Sequence, residues 1–202
     1  MKSDAELFER WSAGDEVAGQ ELFRRYFDAI ARFFRNKATD DWPELVQKTF
    51  LTCVEARASF RGDGSFRSFL FGIAYHQLLR CYRDRGNERL DFTERSAHDL
   101  EPTASACVAK REEERLLLAA LRRIPVDCQV VLELHYWEEM SLTTCAEVLD
   151  LPVGTVKSRL RRARARLDVE LKQLAEGPVL EATMSRLDEW AAGLRKQLPT
   201  GG

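Results

Sequence analysis

Between Leu151 and Leu167 the chain carries Lys157, Arg159, Arg161, Arg162, Arg164 and Arg166, and no acid at all. A guanidinium can pair bidentately with guanine O6 and N7, which discriminates against a wrong base by ~1–3 kcal/mol. In the same stretch Val156, Leu160, Ala163, Leu167, Leu171 and Leu174 recur at helical spacing and make one apolar stripe. Opposite that stripe, Lys157, Ser158, Arg161 and Arg162 project outward from the first two turns. Arg164 and Arg166 lie further along, nearer to phosphates or solvent. The helix opens Gly154-Thr155-Val156-Lys157 after a tight turn at Asp150–Val153, and a short helix from Ser141 to about Leu149 precedes the turn. Two helices so joined fit a helix-turn-helix, whose second helix enters the major groove by its N-terminal part. The competing reading is an ordinary amphipathic helix with a solvated Arg-rich face.

A second basic stretch, Arg61 to Arg89, mixes Arg61, Arg67, Arg80, Arg83 and Arg85 with Phe60, Phe66, Phe69, Phe71, Tyr75 and Tyr82. Positive charge and aromatic faces suit an unpaired strand, whose bases stack at ~1–3 kcal/mol each. Phe66, Phe69 and Tyr75 also follow the buried helical period, which makes core the simpler reading for them. The loop Arg61-Gly62-Asp63-Gly64-Ser65 differs, because its two glycines let the backbone approach a ligand closely. These basic islands sit in a chain of net charge −2, so the charges are segregated rather than scarce.

Catalytic chemistry has little to work with. The three His (76, 98 and 135) are scattered, and the five Cys (53, 81, 107, 128 and 145) form no Cys-x-x-Cys pair. We expect no catalytic site, no metal and no cofactor, and a reduced, cytoplasmic protein. The longest nearly apolar run, Ser68–Tyr75, is far below the ~20 residues that cross a bilayer, so no membrane insertion and no signal peptide are expected.

The elements that must position these groups are helical throughout. Leu22, Phe23, Tyr26, Phe27, Ile30, Phe33 and Phe34 repeat every three to four residues, as do Leu45, Val46, Thr49, Phe50, Cys53 and Val54. Asp41-Trp42-Pro43-Glu44 has the spacing of a capping box with Pro in the first turn. Periodicity fails from Arg89 to about Lys110. The expectation is an all-α protein with two helical domains, residues 1–89 and 112–174, joined by a flexible linker at 90–111. A C-terminal helical extension at 175–202 follows, with Leu180, Met184, Leu187, Ala191, Leu194 and Leu198 on a narrow seam that needs a partner surface.

The segment ALRRIPVDCQVVLELHYWEEMSLTTCAEVLDLPVGTVKSRLRRARARL closely resembles region 4 of the extracytoplasmic-function (ECF) sigma factors. Upstream, ELVQKTFLTCVEARASFRGDGSFRSFLFGIAYHQLLRCYRDR resembles their region 2, in the right order and spacing. The resemblance implies core RNA polymerase and promoter DNA as partners, with no catalytic role. It implies −35 contacts from Thr155, Lys157, Ser158, Arg161 and Arg162, with His135 near a further contact. It also implies −10 contacts from Arg61, Gly62, Asp63, Gly64, Ser65, His76 and Arg80, the loop holding a flipped-out base. Core polymerase binding falls to Asp41, Glu44, Gln47 and Phe50.

Three positions depart from the family pattern. His76 stands where many relatives have Asn, which alters the hydrogen-bonding pattern offered to that base. Asp41-Trp42-Pro43-Glu44 replaces an Asp-Ala-Glu-Asp cluster, and SLTTCAEV lacks the usual Glu-Ile-Ala. The thinned acidic cluster makes phosphorylation of Thr39, Thr49 or Thr52 by a regulatory kinase an expectation, since a phosphate adds about −1.5 to −2 charges. An anti-sigma factor is a further expected partner. The alternative is a stand-alone helix-turn-helix regulator, which would have no reason to carry ELVQKTF followed by RGDGSFRSFLFGIA.

Overall fold

The computed structural model describes residues 2–38, 41–60, 64–84 and 112–174. Among them no strand occurs, and the helices are α1 (Asp4–Ser12), α2 (Glu16–Arg35), α3 (Trp42–Glu55), α4 (Phe66–Asp84), α5 (Glu112–Arg123), α6 (Val126–Leu132), α7 (Leu142–Leu149) and α8 (Val153–Leu174). A 3₁₀ turn, Arg57–Ser59, follows α3, and a five-residue π-helix, Glu133–Trp137, continues α6. The expected linker at 90–111 and the C-terminal extension lie outside the described residues.

Local signals account for most helix starts. Ser3 and Glu6 cap each other reciprocally, the Glu6 amide donating to Ser3 Oγ at 3.2 Å and the Ser3 amide to Glu6 Oε2 at 2.7 Å. Asp15 Oδ1 accepts from the Val17 and Ala18 amides, and Ser141 Oγ accepts from the Thr144 amide at 3.0 Å. The expected capping box at Asp41 does not form: the Asp41 side chain makes no cap bond and its backbone is already in the helical region. Pro43, the second helical residue, has no amide to be capped, and Glu44 pairs with Lys48 at 2.7 Å instead.

The α1–α4 core is built on aromatic rings. Trp11 meets Phe23 at 5.3 Å and Phe66 at 6.5 Å, both edge to face. A Cβ on Gly19 would lie 2.5 Å from the Trp11 ring, so only glycine lets α1 and α2 close on it. The α5–α8 core is mainly aliphatic, with Tyr136 and Trp137 also buried: Leu117, Leu121, Ile124, Val130, Val131, Leu134, Val156, Ala163 and Leu167 are all fully buried.

Phe27 and Val54, which follow the apolar period, are nonetheless 47% and 44% exposed. They lie at the edge of the stripe, where the neighbouring helices leave them partly uncovered. The two units pack on each other through α4 and α7 and share one hydrophobic cluster.

Candidate nucleic-acid interface

Along α8 the apolar stripe buries Val156, Leu160, Ala163, Leu167 and Leu171 against α5 and α6. That leaves Thr155, Lys157, Ser158 and Arg161 exposed on the outer side of the first two turns. Ser158 Oγ donates to the Thr155 carbonyl at 2.9 Å, a bond within the helix that still leaves the hydroxyl oxygen at the surface. Arg164 lies over the Tyr136 ring at 5.9 Å.

Arg162 stands apart from that face. Its Nη2 donates to Asp127 Oδ2 at 2.9 Å, and Arg159 Nε lies 3.3 Å from the same oxygen. Asp127, on α6, has a side chain only 2% exposed, so Arg162 has a buried anchor and a 44% exposed arm. His135 is half-buried on the π-helix, with Nδ1 2.9 Å from the Met140 carbonyl, which fixes the tautomer carrying hydrogen on Nδ1. The turn between α7 and α8 holds Asp150 at φ 52°, which reverses the chain within a few residues.

In the first unit, Arg61, Gly62 and Asp63 lie outside the described residues. Gly64 and Ser65 lead into α4, where Ser65 Oγ accepts from the Ser68 amide at 3.0 Å. A cleft of about 470 Å³ opens beside this start, lined by Phe60, Gly64, Ser68, Phe69, His76 and Glu147. Phe60 and Phe69 pack at 4.9 Å along its wall, and His76 is exposed at its rim. Glu147 belongs to α7 of the second unit, and no sequence signal links it to this cleft. Arg80, also exposed, faces a different cleft of about 180 Å³ with Asp41, Glu44 and Gln77. The sequence groups Arg80 with His76; the fold brings it to the acidic start of α3.

Of the residues expected to meet polymerase, Glu44 and Gln47 are exposed, Asp41 is half-buried, and Phe50 is half-buried against Phe23 and stacked on Phe27. Exposed Phe27, Leu51 and Val54 add apolar surface on α2 and α3 that the sequence reading had not assigned to a partner. Thr49 is fully buried and its Oγ1 donates to the Leu45 carbonyl at 2.7 Å, which leaves no room for a phosphate. Thr52 is half-buried and accepts from Gln77, and Thr39 lies outside the described residues. Burial pushes the Cys53 thiol up to about 12 and those of Cys128 and Cys145 up to about 11, so these are packing groups rather than nucleophiles.

A family model for sigma-70 region 2 matches residues 21–88, and one for sigma-70, region 4 matches residues 114–167. The chain is 30% identical over 183 residues to the ECF RNA polymerase sigma-E factor of Escherichia coli (strain K12), covering 85% of this chain and 96% of that protein. The sigma-E factor of Haemophilus influenzae is 28% identical over 183 residues, covering 85% and 97%. Among solved structures, CnrH in complex with the cytosolic domain of CnrY superposes with a TM-score of 0.65 at 26% identity, covering 86% of this chain and 100% of that one. The sigma factor RpoE from Bartonella quintana, solved with the anti-sigma factor NepR, shares the fold at a TM-score of 0.61 and 22% identity, covering 76% and 96%. The chain belongs to the ECF sigma factors, subunits that bind core RNA polymerase and direct promoter recognition and transcription initiation.

Proposed function

We propose a division of labour within this sigma factor. Residues 1–89 form the unit that binds core polymerase and reads the −10 element, and residues 112–174 form the unit that docks the −35 element. On the second unit the −35 contacts come from Thr155, Lys157, Ser158 and Arg161, with Arg162 reaching in from its anchor on Asp127 and His135 at the margin. The observation that carries this is the acid-free outer face of α8, exposed over its first two turns while the opposite face is buried.

On the first unit, Gly64 and His76 border a cleft with aromatic walls, the kind of surface on which a flipped base can stack, and the −10 contacts come from Arg61, Gly62, Asp63, Gly64, Ser65 and His76. Asp41, Glu44 and Gln47, with the apolar Phe27, Leu51 and Val54 beside them, offer a mixed acidic and apolar surface to polymerase. The protein supplies no catalytic group of its own and works in the cytoplasm. An anti-sigma partner is carried over from the solved relatives, which were captured with CnrY and NepR.

Footprinting of promoter DNA by holoenzyme tests the reading. Lys157→Ala and Arg161→Ala should each weaken −35 protection by ~1–3 kcal/mol and relax sequence preference there, with affinity for core polymerase unchanged. Unchanged protection and preference in both variants would remove α8 from the −35 element.

A further inference from the structure

One wall of the cleft beside α4, Phe60, belongs to no helix. Phe60 leaves the 3₁₀ turn Arg57–Ser59 in extended conformation, at φ −74° and ψ 107°. A ring in such a position is held by what packs against it. Phe8 of α1 meets it edge to face with the centroids 4.6 Å apart, and Phe69 of α4 meets it at 4.9 Å.

The same short helix grips the turn a second time. Arg57 Nη1 donates to the Trp11 carbonyl at 3.2 Å, and its guanidinium lies 5.1 Å over the Trp11 ring. Phe8 also packs at 5.8 Å on Phe66, the first residue of α4. Through Phe8 and Trp11, α1 therefore holds both elements of the first unit that line the cleft, the 57–60 segment and α4.

α1 is itself well anchored. Leu7 and Trp11 are buried, and Asp4 pairs with Arg25 and Tyr26 of α2. Phe8 sits about 100° round the helix from Leu7, half-buried, on the side that meets Phe60. The whole of α1 lies before residue 21, where the match to sigma-70 region 2 begins.

We propose that Phe8 is a positioning residue for −10 recognition, holding the Phe60 ring in place on the wall where an unpaired base stacks. The proposal rests on the reading of this cleft as the −10 surface. A ring already fixed by its neighbours takes a base without being ordered at that moment, and a ring free to turn loses part of the stacking gain to its own ordering. Leucine at position 8 keeps most of the bulk but removes the edge-to-face contact.

Holoenzyme carrying the full chain is measured on a fork-junction fragment from a promoter mapped by run-off transcription, with its −10 segment single-stranded. The same fragment is then made abasic at each −10 position in turn. Wild type should bind the intact fragment about tenfold more tightly than the one abasic at the flipped position. Phe8→Leu should reduce that preference about fivefold, Phe60→Leu should reduce it as much, and the double variant should lose no more than either alone. Phe8→Tyr, which keeps the ring, should restore it, and affinity for core polymerase should be the same throughout. Weakening by Phe8→Leu that is equal on intact and abasic DNA would make Phe8 a support of the fold and overturn the proposal. Preference kept in Phe8→Leu but lost in Phe60→Leu would overturn it too, while leaving the cleft as the −10 surface. A wild-type chain indifferent to every abasic site, or a Phe60→Leu variant with full preference, would overturn the reading of the cleft and the proposal with it. Should Phe8→Leu unfold, Phe8→Met decides by the same comparison.

Discussion

The two basic surfaces of this sigma factor are spent differently. On α8, Lys157, Ser158 and Arg161 face solvent with no acid beside them in the sequence. On α4 and its approach, Arg67 is engaged by Glu138, and the cleft beside His76 is shared with Glu147. Similar residue types therefore end in two settings, one open to solvent and the other held in a contact between units. The difference comes from position, because α8 packs through a clean apolar stripe whereas α4 is flanked by the acids of the following unit. A charge pattern alone does not say which arginines are available. The partner's location does.

The sharpest way to break the comparison is through the cores. Trp11→Ala should cost ~3–5 kcal/mol, since it empties the centre of an aromatic cluster in the first unit. Leu167→Ala should cost ~2–5 kcal/mol in the second, where smaller side chains line the space. Thermal unfolding followed at probes in each unit shows how far the damage spreads. Because the units share one hydrophobic cluster and buried ion pairs, each variant should lower both transitions. A fall confined to the mutated unit would mean that the two are independent bodies.

A smaller effect separates the arginines of α8. Asp127→Asn removes the charge that holds Arg162 and Arg159, so −35 affinity should fall by ~1–3 kcal/mol with a loss of sequence preference. Arg164→Ala, at a position expected to face phosphates rather than bases, should instead lower the salt slope of promoter binding by ~1 and leave preference intact. Promoter affinity measured across a salt series distinguishes these outcomes.

Alkaline titration compares the thiols of the two units. Burial raises the Cys53 thiol to about 12 and those of Cys128 and Cys145 to about 11, from ordinary values near 9.0. Between about 9 and 11 the folded chain keeps protons that the unfolded chain releases, so stability must fall as pH rises through this window. At pH 8 the three thiols should resist alkylation in the native chain and react in urea. Rapid labelling of native Cys128 but not Cys53 would show that the second unit opens by itself.

The smallest expected change compares a formed cap with an unformed one. Ser141→Ala should destabilise the second unit by ~0.5–2 kcal/mol, because Ser141 Oγ caps α7. Loss of the Asp41 carboxylate removes no cap bond from α3. Its consequence should fall on polymerase affinity more than on melting temperature, which a binding assay and a melt on Asp41→Asn will show.

Much of this was legible in the chain. Helical periodicity gave the all-α fold and the α7–turn–α8 motif, and the short helix expected from Ser141 to about Leu149 is α7. What escaped was non-local. Arg32, Lys37 and Arg67 meet acids 106, 96 and 71 positions away, and no periodicity encodes such a distance. Arg162 read as a free groove-facing side chain because its anchor, Asp127, lies 35 residues earlier on another helix. The Asp41 cap failed for a local reason: its backbone is already helical rather than in the extended conformation a capping residue adopts. Phe27 and Val54 fit the buried period but lie at its edge, and only the packed neighbours reveal their exposure.

The central claim is that promoter choice resides on the exposed face of α8. Run-off transcription with purified core polymerase on genomic fragments tests it most directly, comparing the wild-type chain with a Lys157→Ala/Arg161→Ala double variant that still binds core. Discrete start sites are expected with the wild-type chain, and their loss with the double variant. The same start sites at the same strength from both proteins would contradict it.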